Sequence, residues 1–573
     1  MHAVRVMTAL LFLAVAAAPA DAAVVTLCAS DTQGGAGAPN LETAVAAAGQ
    51  ITFQCPAGSV LVLTRGYTIT QATEIDGGNR VTLDGGDHIM FEVKNGVSFR
   101  FVDIAIQNAN ETHDAAGAFL PEVHGGVVTG DGRVELLRTT VTNSLGAFWL
   151  RTGAIRIHAS RLEGNRGVTV HAPTIDIGQG TRFMANSGTP VQATAGAVSI
   201  TDAEFISNGT STFSNCTLAI KRSTFNSHVG PGEGGALRIN CDATIEKSQF
   251  HNNRAVHGGA IYIGNQPATV SMRRVRFAGN VAQETGGAIA VETSARVLTL
   301  TIRTSTFDSN RAWQGGAISL ERFLGNTRFL QGAGLTFKGN VATQRGGAIY
   351  AINAGIRIAR GAFISNQADQ GGGAVYALQQ GRQTAEFANT LFSANRSTQG
   401  GSAFHGAAAT FVSTTIDSNS GVSLVAEAPL ALPINAGFSP TAFPIRFANS
   451  IVSGPVPPCG PAVAAVPYDD LGHTIQHPGV SCGSAIPSAN PALGPFFVPM
   501  PWSPALNSGD NSVCQAVPVN GRDLYDVKRP LMQNCAIGAV EGDLPRIVRT
   551  WLRRQDEFVE LFKNALGLRS TQR

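Results

Sequence analysis

The chain has 573 residues, of which only 14% are charged, and its formal net charge is +3. That balance, with no basic stripe carrying interleaved aromatics, excludes a nucleic-acid binder. Glycine is plentiful at 65 residues, yet apolar residues make up 43%, so the glycines read as tight turns in a packed body rather than as disorder.

Residues 1–22 read as a secretory signal peptide. Arg5 supplies the positive start, Leu10 to Ala18 an apolar stretch, and Ala20-Asp21-Ala22 a small-residue cleavage site. The apolar stretch is too short to span a bilayer, so export is expected. The cysteines agree. Eight of them fall in sequential couples: Cys28 with Cys55, Cys216 with Cys241, Cys459 with Cys482, and Cys514 with Cys535. None has the CxxC spacing of a zinc or redox site. In an oxidising compartment, four local disulfides are the economical choice among the connectivities eight cysteines allow. Each would close a loop of roughly 20–28 residues and contribute on the order of 3 kcal/mol. Cys216 and Cys241 lie about one repeat apart, so their bridge would staple neighbouring coils.

Residues 23–55 read as an N-terminal cap, in which Asn40 starts a short helix from Leu41 to Ala48. Residues 56–455 read as the repeat-built body, and from about Val141 to Asn419 a pattern recurs in it: an aromatic or aliphatic residue, two variable residues, Asn, and in the clearest copies Gly-Gly-Ala with a branched apolar residue. The clear copies start at Phe250, Phe277, Phe307, Phe337, Phe363 and Phe392, with Asn253, Asn280, Asn310, Asn340, Asn366 and Asn395 in register. Their glycine pairs run from Gly258-Gly259 to Gly400-Gly401. Weaker copies start at Leu162, Phe183, Phe205 and Phe225, and His228 replaces Asn in one of them. Between anchors the chain alternates, as in Leu298-Thr299-Leu300-Thr301-Ile302, which is the period of a strand. Short strands repeating every 20–30 residues predict a right-handed parallel β-helix, an all-β solenoid of about sixteen coils. At about 4.8 Å per coil the rod would be roughly 75 Å long. Each Phe is expected to stack on the next, and the asparagines to form a structural amide ladder.

Sixteen of the 27 prolines fall between Pro429 and Pro504, where continuous ladders must end. Residues 456–542 are therefore expected to form a proline-rich, doubly bridged C-terminal segment over the exposed end of the rod. In 543–573, Leu544, Ile547, Trp551, Phe558 and Phe562 recur at helical spacing among basic residues. This amphipathic helix is expected either to dock on the rod or to touch a membrane surface peripherally.

The FxxN and GGA[ILV] motifs resemble polymorphic outer membrane protein repeats of bacterial surface proteins. The stretch Ser503-Pro504-Ala505-Leu506-Asn507-Ser508-Gly509, then Arg529-Pro530 and Cys535-Ala536-Ile537-Gly538-Ala539-Val540-Glu541, resembles the choice-of-anchor Q domain. Asp526 stands where that family usually has glycine, and Ala536 where it usually has aspartate. The resemblance implies a location outside the cytoplasm, secreted or associated with the outer membrane and cell surface.

Chemistry is sparse. Glu292 and Glu321 both sit five residues after the second glycine of adjacent copies, so in register their carboxylates would approach the separation used by retaining glycosidases. They are the catalytic candidates, weighed against a solvated turn. His251, His257 and His124 show no metal-triad spacing, and no phosphate loop or nucleophile elbow occurs; no cofactor and no metal are called for. The reading is a non-catalytic, adhesin-like or structural rod whose partner is a surface glycan or protein. The alternative is a carbohydrate-active enzyme, a polysaccharide lyase or glycoside hydrolase, or a polysaccharide-binding β-helix.

Overall fold

The computed structural model describes residues 22–86, 88–110, 125–264, 269–291, 298–321, 328–378, 384–427, 444–461 and 467–542. The signal segment up to residue 21, His124, Glu292 and the 543–573 tail lie outside the described residues.

The chain is a parallel β-helix. One turn shows the plan: Ile289–Val291 forms face A, 298–303 face B, 305–308 face C, and Arg311–Gln314 face D. Each strand pairs in parallel with its copy one coil away. The face B ladder runs through eighteen strands, from Ala23–Val25 to Tyr468–Asp470. That exceeds the expected sixteen, because the first and last coils carry no FxxN motif. The rod is thus roughly 80 Å long.

Inside face C the phenylalanines form one column. Rings from Phe183 to Phe392 stack with centroids 4.7–5.1 Å apart and planes within 12°. All are buried, inside a core that runs the length of the rod.

At the C–D corner the asparagines bond from coil to coil. Asn310 donates from its backbone N and its Nδ2 to Asn340 Oδ1, at 3.0 and 2.9 Å, and from Nδ2 to Phe277 O at 3.2 Å. Its own Oδ1 accepts the same two bonds from Asn280. The amide's donors and its carbonyl are therefore all used. The ladder runs from Asn253 to Asn419, and a shorter one joins Asn165, Asn186 and Asn208. His228 stands between the two. Its backbone N donates to Asn253 Oδ1 at 3.0 Å, while Nδ1 faces Gly209 O at 3.1 Å and Nε2 faces Phe205 O at 3.2 Å.

A second ladder occupies the B–C corner, where the motif shows no signal. Ser223 N donates to Ser248 Oγ at 3.2 Å, and Val275 N to Ser305 Oγ at 3.1 Å. Each hydroxyl in turn donates to a carbonyl two residues back.

The two glycines of each pair do different jobs. Gly258 has φ +63, and a Cβ there would meet Ile261 O at 2.2 Å; Gly259 lies so close to the next coil that a Cβ would meet Gly287 O at 2.2 Å. The first makes the turn and the second permits the stacking. The series starts one coil earlier than the motif suggests, at Gly234-Gly235, and in the last copy the register moves by one. There Gly401 takes the first role and Ser402 the second.

Four disulfides join Cys28–Cys55, Cys216–Cys241, Cys459–Cys482 and Cys514–Cys535. At the N-terminal end the helix Leu41–Ala47 buries Leu41 and Ala44, and Asn40 Oδ1 accepts from Thr43 N at 2.9 Å. The C-terminal segment docks on the last coils. Arg529 is fully buried there. Its Nε donates to Glu541 Oε2 at 2.8 Å, Nη1 to Asn389 Oδ1 at 3.1 Å, and Nη2 to Gly538 O at 2.7 Å. Asn449 likewise donates to Asp510 O and accepts from Asp510 N, both at 2.9 Å. The Arg-Pro and Gly-Ala-Val-Glu stretches thus act as a clasp between segment and rod.

Candidate functional site

From Gly234-Gly235 onward the glycine pair bends the chain between faces D and A. Side chains on either side of that bend meet across it, as Arg238 meets Glu233 and Arg345 meets Tyr376, lining a lengthwise groove. The face A column continues back from it through coils without the pair. In register along face A stand Trp149 and His171, then Gln192, Thr212 and Arg238, and farther on Tyr350, Tyr376 and His405. The opposing edge of face D contributes Glu233, His257, Thr285, Gln314 and Arg345. Register makes both columns straight, with a spacing of about 4.8 Å.

Contacts run both along and across the groove. Trp149 stacks on His171 with centroids 3.8 Å apart. Arg238 Nε pairs with Glu233 Oε2 at 2.9 Å, and His257 Nδ1 lies 3.0 Å from Thr285 Oγ1. Gln314 donates to Gln344 Oε1.

The densest chemistry is at the C-terminal end. The rings of Tyr350 and Tyr376 stack at 5.6 Å, and the Arg345 guanidinium lies 4.9 Å over the Tyr376 ring, a cation–π contact. Tyr376 OH donates to Glu427 Oε2 at 2.7 Å, and His405 Nε2 lies 3.1 Å from the same oxygen. Gly371 makes room for the imidazole, since a Cβ there would lie 2.6 Å from His405 Nδ1. That nitrogen is buried without a hydrogen-bond partner among the described residues.

The local field follows from these contacts. Burial alone would push the Glu427 carboxyl up, but hydrogen bonds from His405 and Tyr376 outweigh it and hold the group below the usual carboxylate value. Burial, then the bond to Glu427, raises the Tyr376 phenol. Burial, with the Glu321 charge behind it, pushes Tyr350 up to about 12. The groove therefore presents neutral phenols, a carboxylate already engaged by two donors, and guanidinium groups.

Glu321 ends the face A strand Ile318–Glu321, in register with Ile352. Its companion Glu292 lies outside the described residues. His251 sits on face C against Gln249, with Nε2 2.8 Å from Gln249 Oε1. Among the described residues, no three His, Cys, Asp or Glu side chains stand together as a metal site. No helix among them is long and apolar enough to cross a membrane. Sequence reasoning missed the groove because its residues vary from coil to coil; the glycine pair that creates the bend was its one visible signal.

A family model for the Chlamydia polymorphic membrane protein repeat matches residues 334–352. That stretch holds Phe337, Asn340 and the Gly346-Gly347 pair, one corner of each kind. The repeat is of the polymorphic membrane protein type. The probable outer membrane protein PmpA of Chlamydia trachomatis serovar D is 34% identical over 131 residues, 22% of this chain. The chain spans only 12% of that protein's length. Repeat and relative together support an outer-membrane or cell-surface location. Tailspike protein 3 of bacteriophage CBA120 is similar over 77% of this chain and 57% of its own, at 9% identity and a TM-score of 0.20, a level that carries no argument.

Proposed function

We propose that this polymorphic membrane protein-type chain is an adhesin-like binding rod, presenting the face A groove to a glycan or protein outside the cell. The observation that carries this reading is the groove's register: aromatic and polar side chains stand in line over many coils, on a backbone held by continuous ladders. A surface of that kind suits an extended partner, and its rigidity means little ordering cost on binding. On the same reading residues 1–22 direct export, and 456–542 closes the rod as a choice-of-anchor Q-type segment. The clasp of Arg529 with Glu541 supports that assignment, because it gives the shared motif a physical job. The 543–573 tail is read as a docked helix over the last coil.

The test is a screen of the purified protein on glycan and surface-protein arrays, repeated with Trp149→Ala and with Arg238→Glu. Arg238 is exposed, so its replacement leaves the core untouched. Binding by the wild type that both variants lose, with unchanged melting, supports the groove. A ligand bound equally by all three proteins would place recognition elsewhere and defeat this reading.

A further inference from the structure

Face B carries two outward columns that tell a different story. One reads Thr301, Gln331, Arg357 and Glu386 along successive coils; the other reads Arg303, Ala333, Ala359 and Ala388. Where arginine gives way to three alanines, the outer layer of side chains drops away. The 517–520 loop of the C-terminal segment lies beside this gap, anchored by Asn389 Nδ2, which donates to Arg522 O at 2.7 Å. What remains is a recess of about 370 Å³, floored by the alanines and walled by Val517, Pro518 and Asn520. That volume lies at the small end of ligand pockets, suited to a single ring rather than a cofactor.

The charges do not cancel. Arg357 Nε pairs with Glu386 Oε2 at 3.1 Å, whereas Arg303 makes no ion pair with any described residue. One guanidinium is thus left over at one end of the recess. The lining also holds a hydroxyl, Thr301, two amides, Gln331 and Asn520, and an apolar side chain, Val517, which is 81% exposed.

We propose that this recess binds a sugar acid. The carboxylate sits on the fork of Arg303, a match of shape as well as charge. Ring hydroxyls bond with Thr301, Gln331 and Asn520 and donate to Glu386, and the apolar face of the ring lies on Val517 and Pro518. This site is separate from the face A groove, and neither assignment depends on the other.

Titration calorimetry of the full chain with glucuronate, galacturonate, glucose and acetate tests it. At least one uronate is expected to bind one site per chain, with glucose and acetate at least about tenfold weaker, since a charge-assisted bond and the ring contacts are each lost in turn. Arg303→Gln should weaken the uronate by about tenfold or more, and Ala359→Leu should abolish binding by filling the floor. Melting curves show whether the two variants keep the fold, and Gln331→Ala, an exposed change, provides a third probe free of packing effects. Absence of uronate binding at millimolar concentration would overturn the proposal. So would equal affinity for glucose or acetate, or uronate binding unaltered in all folded variants.

Discussion

Arg529 and Glu541, both withdrawn from solvent, meet at 2.8 Å inside the C-terminal segment, where it lies on the rod. The guanidinium also reaches Asn389, a rod residue 140 positions earlier in the chain, so one side chain ties the C-terminal segment to the rod itself. Removing one partner of a buried pair strands the other and costs about 3–5 kcal/mol. Arg529→Met should therefore loosen the segment more than the rod. Hydrogen exchange is expected to speed up across 496–541 while the Phe250–Phe337 coils stay protected. Equal protection throughout would show that the clasp is dispensable.

Asn310 lies in the middle of an unbroken amide ladder. Its replacement by Ala takes the Oδ1 acceptor from the backbone N and Nδ2 of Asn280, removes the side-chain donor to Phe277 O, and leaves Asn340 Oδ1 only the backbone N of residue 310. A buried unsatisfied group costs about 1–3 kcal/mol, so the loss should be clear in denaturant unfolding. Asn419, which ends the ladder and donates to no further asparagine, should cost less when replaced. A mutant at Asn310 as stable as the wild type would contradict the ladder.

Gly258 and Gly259 should differ in how they fail. Gly258→Ala strains a turn with φ +63 and drives its methyl into Ile261 O of the same turn, a cost above the roughly 1–2 kcal/mol of the left-handed conformation alone. At Gly259 the new methyl would point into Gly287 O of the neighbouring coil, and backbone cannot move aside without parting the ladder. Both variants are expected to reduce soluble yield, but only Gly259→Ala should part neighbouring coils, so that limited proteolysis cuts between its coil and the next. Identical behaviour of the two variants would remove the distinction drawn between them.

His228 makes the rod sensitive to acid. Burial, which outweighs the carbonyls of Gly209 and Phe205 that favour the cation, lowers its pKa to about 4 from 6.5. Below pH 6.5 the unfolded chain takes up the proton first, so this residue's contribution is lost as pH falls from about 6.5 toward 4, by roughly 3 kcal/mol at most. His228→Asn would remove that dependence and join the two asparagine ladders. Melting at pH 7 and pH 5 should therefore converge in the variant. A wild type that melts alike at both values would argue against a buried neutral ring.

The coil architecture is readable from sequence because an interior slot that recurs every turn demands the same residue every turn. Phe at the slot of Phe277 and Asn at that of Asn310 have no good substitutes, so they stand out. The serines of the second ladder do not, because Ser248 and Ser305 look like any surface turn residues until their hydroxyls are seen to be buried. The groove is less legible still. Tyr376, His405 and Glu427 come from three separate coils, and irregular loop lengths hide which residues share a column. The recess on face B depends on what is missing, a run of alanines, and on a loop more than a hundred residues away.

The caps and the repeats obey different rules. Each coil between Asn253 and Asn366 satisfies its neighbours with the same asparagine corner, and the C-terminal segment is held to the rod through Arg360 and Asn389. Nothing in those coils therefore encodes the length of the rod. A gene that gains or loses one copy of the repeat yields a protein with both ends intact and the segment seated on the same corner residues. The length of the rod becomes a matter of copy number, open to change by the gain or loss of single repeats. The face A groove would lengthen or shorten by one coil with every such event.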